Sequence, residues 1–142
     1  MTKGHVKKLE GIQKRATKMV IELRGMEYEE RLEILGLTTL DNRRKRGDMI
    51  QIYKIMNGME SVGINMGPDK RDKNIGRSHR HQISRDKFVN TPMRDGFLSN
   101  RSATTCNLLP PEIAEAKTVN SFKARIDRHM KSDIWRRSVY RF

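Results

Sequence analysis

The chain has 142 residues, of which 35% are hydrophobic and 33% are charged. This length allows one modest core, which excludes a large catalytic architecture. Lys and Arg number 30 against 17 Asp and Glu, for a net charge of +13. Such an excess repels itself in a compact protein unless a polyanion neutralises it, so we expect nucleic acid as the partner.

The cysteine content and the hydropathy of the sequence indicate where in the cell the protein is expected. Cys106 is the single cysteine, which excludes an internal disulfide and a thiolate zinc cage and fits a reducing compartment. No apolar run approaches the length of a membrane span, and the N-terminus lacks the apolar core of a signal peptide. We therefore expect an intracellular location, nuclear or cytoplasmic, and no membrane partner.

The N-terminal segment predicts an amphipathic helix from about Lys3 to Arg24, which Gly25 ends. Its apolar residues recur at three- and four-residue steps and share one stripe, while most cations fall on or near the opposite face. The stripe consists of Val6, Leu9, Ile12, Ala16, Met19, Val20 and Leu23. The cations are Lys7, Lys8, Lys14, Arg15 and Lys18.

Two more helices follow at short intervals. Tyr28 to Leu35 predicts a short helix with Gly36 as its left-handed cap, and Thr39 caps a helix from Leu40 to Met56. This pair resembles a helix-turn-helix, and the start of its second helix would add backbone donors for phosphate. The densest cationic cluster of the chain lies there and consists of Arg43, Arg44, Lys45 and Arg46.

Residues 59–82 predict a basic linker, because the apolar periodicity disappears and glycine accumulates. Its cations could wrap around a nucleic-acid backbone. Residues 83–90 could form one short strand, which would need a partner strand. The linker cations proposed for binding are Arg71, Lys73, Arg77 and Arg80.

The C-terminal segment predicts a helical turn from Phe97 to Leu108, ended by Pro110 and Pro111, and a final helix capped by Thr118. The apolar face of the final helix consists of Val119, Phe122, Ile126 and Met130, and its outer residues are Lys123, Arg125, Arg128 and Lys131. In the tail, aromatic rings could stack on unpaired bases or anchor loosely onto the helices. These tail residues are Trp135 and Tyr140, with Arg136 and Arg137 beside them.

Together these elements predict a mainly α protein in three parts. The parts are a helical module at 3–58, a basic linker at 59–82 and a helical C-terminal segment at 83–142. We find no glycine-rich phosphate loop, nucleophile elbow or metal-binding spacing of His and Cys. We therefore expect no catalysis, no metal and no cofactor, with Cys106 as a small buried hydrophobe.

Three segments, taken in order, carry a family resemblance. They are LEGIQKRATKMVIELRGMEYEERLEILGLTTLDNRRKRGDMIQIYKIMNG, RSHRHQISRDKF and FLSNRSATTCNLLPPEIAEAKTVNSFKARIDRHM. Over about Leu9 to Met130 the chain resembles the region after the polymerase core in non-LTR retrotransposon reverse transcriptases of the jockey and CR1 type. The resemblance implies a supporting role in which this region holds template RNA or target DNA.

Two departures from that family matter. Its polymerase carries a Tyr-x-Asp-Asp signature for two metal ions, and this sequence contains no Asp-Asp pair. Polymerase activity therefore does not carry over. Family members usually have Trp where Cys106 stands, and the loss of a large aromatic from a small core could leave a cavity that costs roughly 3 to 5 kcal/mol.

Three alternatives to nucleic-acid binding stay open. The N-terminal amphipathic helix could dock into a protein partner, which would make the chain an interaction module. The chain could act only with a polymerase core supplied in trans. It could also be a decayed relic without function.

Overall fold

The computed structural model describes residues 3–61, 82–83 and 96–132. In these ranges the protein is mainly helical, as the sequence predicts. The helices are α1 (Lys3–Thr17), α2 (Tyr28–Ile34), α3 (Leu40–Met56), α4 (Leu98–Asn107), α5 (Pro111–Ala114) and α6 (Val119–Lys131), with a 3-10 turn at Ile21–Leu23. Internal contacts divide the chain into an N-terminal unit, Met1–Lys45, and a C-terminal unit, Arg46–Phe142.

The predicted helix caps of α2, α3 and α6 are confirmed. Gly36 has φ +62°, and the Leu37 N–H donates to the Leu32 carbonyl at 2.8 Å, which closes α2. The Thr39 hydroxyl accepts from the Asn42 N–H at 3.2 Å at the start of α3. At the start of α6 the Thr118 hydroxyl accepts from the Ser121 N–H at 3.1 Å.

The predicted extension of the first helix to Arg24 is wrong, because α1 ends at Thr17. The next two residues already make tighter bonds, in which the N–H groups of Lys18 and Met19 donate to carbonyls three residues back. The Thr17 hydroxyl donates to the Lys14 carbonyl and accepts from Arg31, which holds the last turn in place.

The N-terminal unit buries few apolar side chains. Leu23, Tyr28 and Leu32 are buried, together with the polar residues Thr17 and Arg31. The predicted apolar stripe is not the face through which α1 packs, since Leu9 is 41% and Ile12 55% exposed.

The C-terminal unit contains the main core of the described residues. The Tyr53 and Phe122 rings stack with their centroids 4.3 Å apart, and the Tyr53 hydroxyl donates to the Ala116 carbonyl at 2.5 Å. Around them pack apolar residues of α3 to α6, namely Met49, Ile50, Ile52, Ala103, Cys106, Leu109, Ile113, Ala114 and Ile126, with Ile83. The second half of α3 thus contributes its apolar residues to this unit.

Pro111 has a role in the C-terminal unit that was not predicted. Pro110 and Pro111 end one helix as expected, but Pro111 also begins the short helix α5, where proline at the first position is favourable.

Of the strand predicted at 83–90, only Ile83 is described, and the other residues lie outside the described ranges. The N–H and carbonyl of Ile83 both pair with the Asn107 side-chain amide at 2.9 Å.

Candidate nucleic-acid interface

The cationic cluster at the start of α3 is largely engaged within the protein. Lys45 pairs with Asp41 at 2.6 Å, one helical turn away. Arg46 makes a two-pronged contact with Asp127, in which Nη2 and Oδ2 are 2.9 Å apart. Arg44 is half-buried and Arg43 is exposed. Of the four predicted binding residues at this point, Arg43 is the best placed to contact phosphate.

The contact with Asp127 also changes the electrostatics of both partners. Hydrogen bonding to Asp127 raises the pKa of Arg46, and the Arg46 guanidinium holds the pKa of the Asp127 carboxyl below its ordinary value. A similar two-pronged contact joins Arg101 to Asp48 at 2.7 and 2.8 Å. Both pairs lie inside the C-terminal unit and tie its helices together.

The predicted cations of α1 lie on the protein surface. Lys7, Lys14 and Arg15 of α1 and Lys18 just beyond it are all exposed, and so is Lys8. The ammonium of Lys14 lies 5.7 Å from the centre of the Tyr28 ring. The Lys14 side chain is nevertheless exposed to solvent.

The single carboxylate of α1 points into the protein and not toward these cations. Glu10 Oε1 accepts from the Tyr28 hydroxyl at 2.5 Å, and its Oε2 accepts from the Leu40 N–H at 3.0 Å. Burial of the phenol, with this contact next in size, raises the pKa of Tyr28. Glu10 is the one acidic residue of α1, and it bonds to Tyr28 and Leu40. The outer surface of the helix therefore carries positive charge without an acidic neighbour on the same helix.

The seven other predicted binding residues lie outside the described residues. They are the linker residues Arg71, Lys73, Arg77 and Arg80, and the tail residues Trp135, Arg136 and Arg137. Their role in binding stays a prediction.

Helix α6 has an exposed cationic face that was recognised in the sequence but not proposed as a binding surface. Arg125, Arg128 and Lys131 are exposed, and Lys117 is exposed just before the helix. Arg128 and Lys131 lie on the side of the helix away from Phe122 and Ile126, whereas Arg125 flanks that buried side and donates to the Glu112 carbonyl. The three-residue spacing of Arg125, Arg128 and Lys131 was the available signal in the sequence.

The Cys106 thiol is buried and holds its proton. Burial raises the pKa of the Cys106 thiol to about 12, with a further contribution from the negative charge of Asp48, so the thiol is protonated at neutral pH. No group of three or more His, Cys, Asp or Glu within the described ranges could hold a metal ion. Among the same residues no helix is long and apolar enough to cross a membrane.

Cys106 also lines an apolar pocket in the C-terminal unit. The pocket contains about 280 Å³ of empty space, including the part that opens to solvent. Its walls come from Met49, Ile52, Tyr53, Met56, Leu109, Ala114 and Phe122. The expected cavity at position 106 rests on the family resemblance and stays a prediction.

Helices α2 and α3 are joined by a short connection, and their likeness to a helix-turn-helix stays a prediction. A seven-residue helix is followed by residues 35–39 and then by the long helix α3.

Comparisons with protein-family models, with curated proteins and with solved structures give no match to this chain.

Proposed function

We propose that this protein binds RNA or DNA through phosphate contacts and performs no chemistry of its own. The observation that carries the proposal is the cationic surface of α1 and the residue that follows it. Five exposed cations lie there, Lys7, Lys8, Lys14, Arg15 and Lys18, while Glu10 is turned inward. Phosphate is the ligand that such a surface attracts without any need to read bases.

We propose α1, and not α3, as the centre of the interface. Lys45 and Arg46 already have carboxylate partners at α3. A phosphate would have to compete with these ion pairs, whereas the α1 cations have no such partner among the described residues. Arg43, exposed beside them in sequence, is the remaining α3 candidate.

Two further observations support nucleic acid as the partner. The net charge of +13 requires counter-ions, and a polynucleotide supplies them at high density. The ordered resemblance to the post-polymerase region of retrotransposon reverse transcriptases points to the same class of ligand.

A salt titration tests the proposal. Fluorescence anisotropy of labelled single-stranded RNA, single-stranded DNA and duplex DNA is measured with the full chain. If about five phosphates are contacted, affinity for the duplex falls by roughly two to three decades between 50 and 200 mM salt. A flat salt response, or no binding at 50 mM salt, contradicts the proposal.

A matched pair of variants locates the interface. The triple variant Lys14→Gln, Arg15→Gln, Lys18→Gln lowers the charge of the α1 region by three. The control Lys117→Gln, Arg128→Gln, Lys131→Gln removes the same charge from the α6 region, where all three residues are exposed. We expect the first variant to reduce the salt slope by about 2 to 3. Equal losses in both variants would mean that affinity follows net charge and not the α1 surface.

A further inference from the structure

Helix α1 packs against its own unit through polar side chains. Glu10 bonds to Tyr28 and Leu40, and the Gln13 amide donates to the Thr38 carbonyl at 3.0 Å. Thr17, in the last turn, is buried against Arg31. These contacts fix which face of the helix is turned inward, and that face is not the apolar one.

The apolar residues of α1 form an exposed seam. Leu9 is 41% exposed, Ile12 is 55% exposed and Ala16 is also exposed. They are separated by three and then four residues, which is the spacing at which one helix packs along another in a coiled coil. A helix that only covered the unit's own core would turn this seam inward.

Positive charge borders one side of this seam. Lys8 and Arg15 immediately precede Leu9 and Ala16, so they occupy the flanking positions whose charges select the partner in paired helices. Both are exposed. The opposite flank carries the neutral Gln13, which is used within the unit.

We propose that the seam of α1 binds a helix of another protein, and that this helix presents an apolar stripe bordered by carboxylates. The apolar stripe would cover Leu9 and Ile12, and the carboxylates would lie against Lys8 and Arg15. Desolvated apolar contact supplies the affinity, and the opposite charges supply the orientation and the choice of partner.

The charges beside the seam favour such a helix over a nucleic acid or a second copy of this chain. A nucleic acid would satisfy Lys8 and Arg15 but would leave Leu9 and Ile12 without an apolar cover. A second copy, packed seam to seam, would place Lys8 and Arg15 opposite like charges or the neutral Gln13, and both copies carry +13. An acidic-edged helix satisfies both features of the surface.

This inference goes beyond nucleic-acid binding and does not depend on it. The seam and the cations Lys7 and Lys14 lie on different sides of α1, so protein and phosphate contacts use different residues except at Lys8 and Arg15. Loss of seam binding would leave the salt-dependent binding of nucleic acid to be measured separately.

Two designed peptides serve as probes. Each is a helix of about three heptads with Leu at the seam positions, and the flanking positions are all Glu in one peptide and all Lys in the other. Binding of each labelled peptide to the full, nuclease-treated chain is measured by anisotropy. We expect the Glu-edged peptide to bind at least about tenfold more tightly than the Lys-edged peptide at 50 mM salt.

Two substitutions test whether the seam is the site. Ile12→Ser should weaken the Glu-edged peptide at least about tenfold, whereas Leu108→Ser should leave its binding unchanged. These two residues are both 55% exposed, so neither substitution opens a cavity in a core. Circular dichroism should show the same helical content in both variants.

Three results would overturn the inference. They are equal binding of the two peptides, unchanged peptide binding in Ile12→Ser, and a dimer of the chain in sedimentation that Ile12→Ser abolishes. The last result would identify a second copy as the occupant. Unchanged salt-dependent binding of RNA in Ile12→Ser would show that a failure of the seam is separate from a failure of the nucleic-acid proposal.

Discussion

The N-terminal and C-terminal units are held together by different kinds of contact. The C-terminal unit buries a cluster of thirteen residues that includes the stacked rings of Tyr53 and Phe122. In the described part of the N-terminal unit, only Leu23, Tyr28 and Leu32 are buried apolar residues. The N-terminal unit replaces apolar burial with polar contacts, and nine of its large apolar residues stay exposed.

This difference separates stability from binding. A core of apolar side chains stabilises the C-terminal unit in a way that depends little on salt or pH. The N-terminal unit has weaker apolar support, and its exposed cations and apolar seam are free to contact partners. Surfaces of this kind are typical of binding sites, because an exposed apolar patch is costly unless something covers it.

The largest loss of stability in the N-terminal unit is expected from a substitution of Arg31. This side chain is 1% exposed, its Nε donates to the Thr17 hydroxyl at 3.1 Å, and its Nη1 donates to the Met26 carbonyl. Its Nη2 is buried and has no hydrogen-bond partner among the described residues. Arg31→Ala should lower the free energy of unfolding by about 3 kcal/mol, because it leaves a cavity and removes the donors to the Thr17 hydroxyl and the Met26 carbonyl.

Arg31→Met distinguishes packing from charge at the same position. Met keeps much of the apolar stem and removes a buried, partly unsatisfied charge, so it should cost less than half as much as Ala. Urea unfolding gives the totals, and hydrogen exchange in α1 and α2 localises the loss. Arg24→Ala, at an exposed arginine of the same unit, should change stability by no more than about 0.5 kcal/mol. A Met variant as unstable as the Ala variant would contradict this account.

Local signals in the sequence were sufficient for several elements of the fold. Gly36 marks the end of α2, and Thr39 and Thr118 mark the starts of α3 and α6. These positions could be predicted because capping depends on a few neighbouring residues. The inward apolar face of α6 also followed from its spacing, with Phe122 and Ile126 buried. These features need no knowledge of distant contacts.

Features that depend on distant residues could not be predicted in this way. Arg46 and Asp127 are 81 positions apart, so nothing near Arg46 indicated that its charge would be engaged. The end of α1 at Thr17 depends on the buried Arg31, fourteen positions away. The orientation of α1 depends on the bonds that Glu10 makes to Tyr28 and Leu40, which turn the apolar stripe outward.

A moderate effect is expected in the core of the C-terminal unit, at the pocket beside Cys106. Cys106→Leu adds apolar atoms to this pocket and should raise the free energy of unfolding by about 1 kcal/mol. Ala103 lies on the same helix and is 1% exposed, but it does not line the pocket. Ala103→Leu should therefore lower stability by roughly 1 to 3 kcal/mol through overpacking. Urea unfolding measures both, and a loss of stability in Cys106→Leu as well as in Ala103→Leu would show that the pocket has no room.

The smallest change in stability is expected when the ion pair between Arg46 and Asp127 is removed. This change measures how much a polar contact contributes to the stability of the C-terminal unit. Because the pKa of Asp127 is lowered in the folded protein, the pair stabilises the fold above the unfolded value of about 3.9. This stabilisation is lost as the pH falls through the lower, folded pKa.

The side chains of Arg46 and Asp127 are 36% and 43% exposed, so solvent limits the contribution of the pair to at most about 1 kcal/mol. Asp127→Asn should be less stable than the native chain at pH 6 by no more than this amount, and the difference should disappear near pH 2. Urea unfolding across this pH range measures it, and 1 M salt should narrow the difference at pH 6. A difference that stays constant from pH 6 to pH 2 would mean that Asp127 contributes through packing and not through its charge.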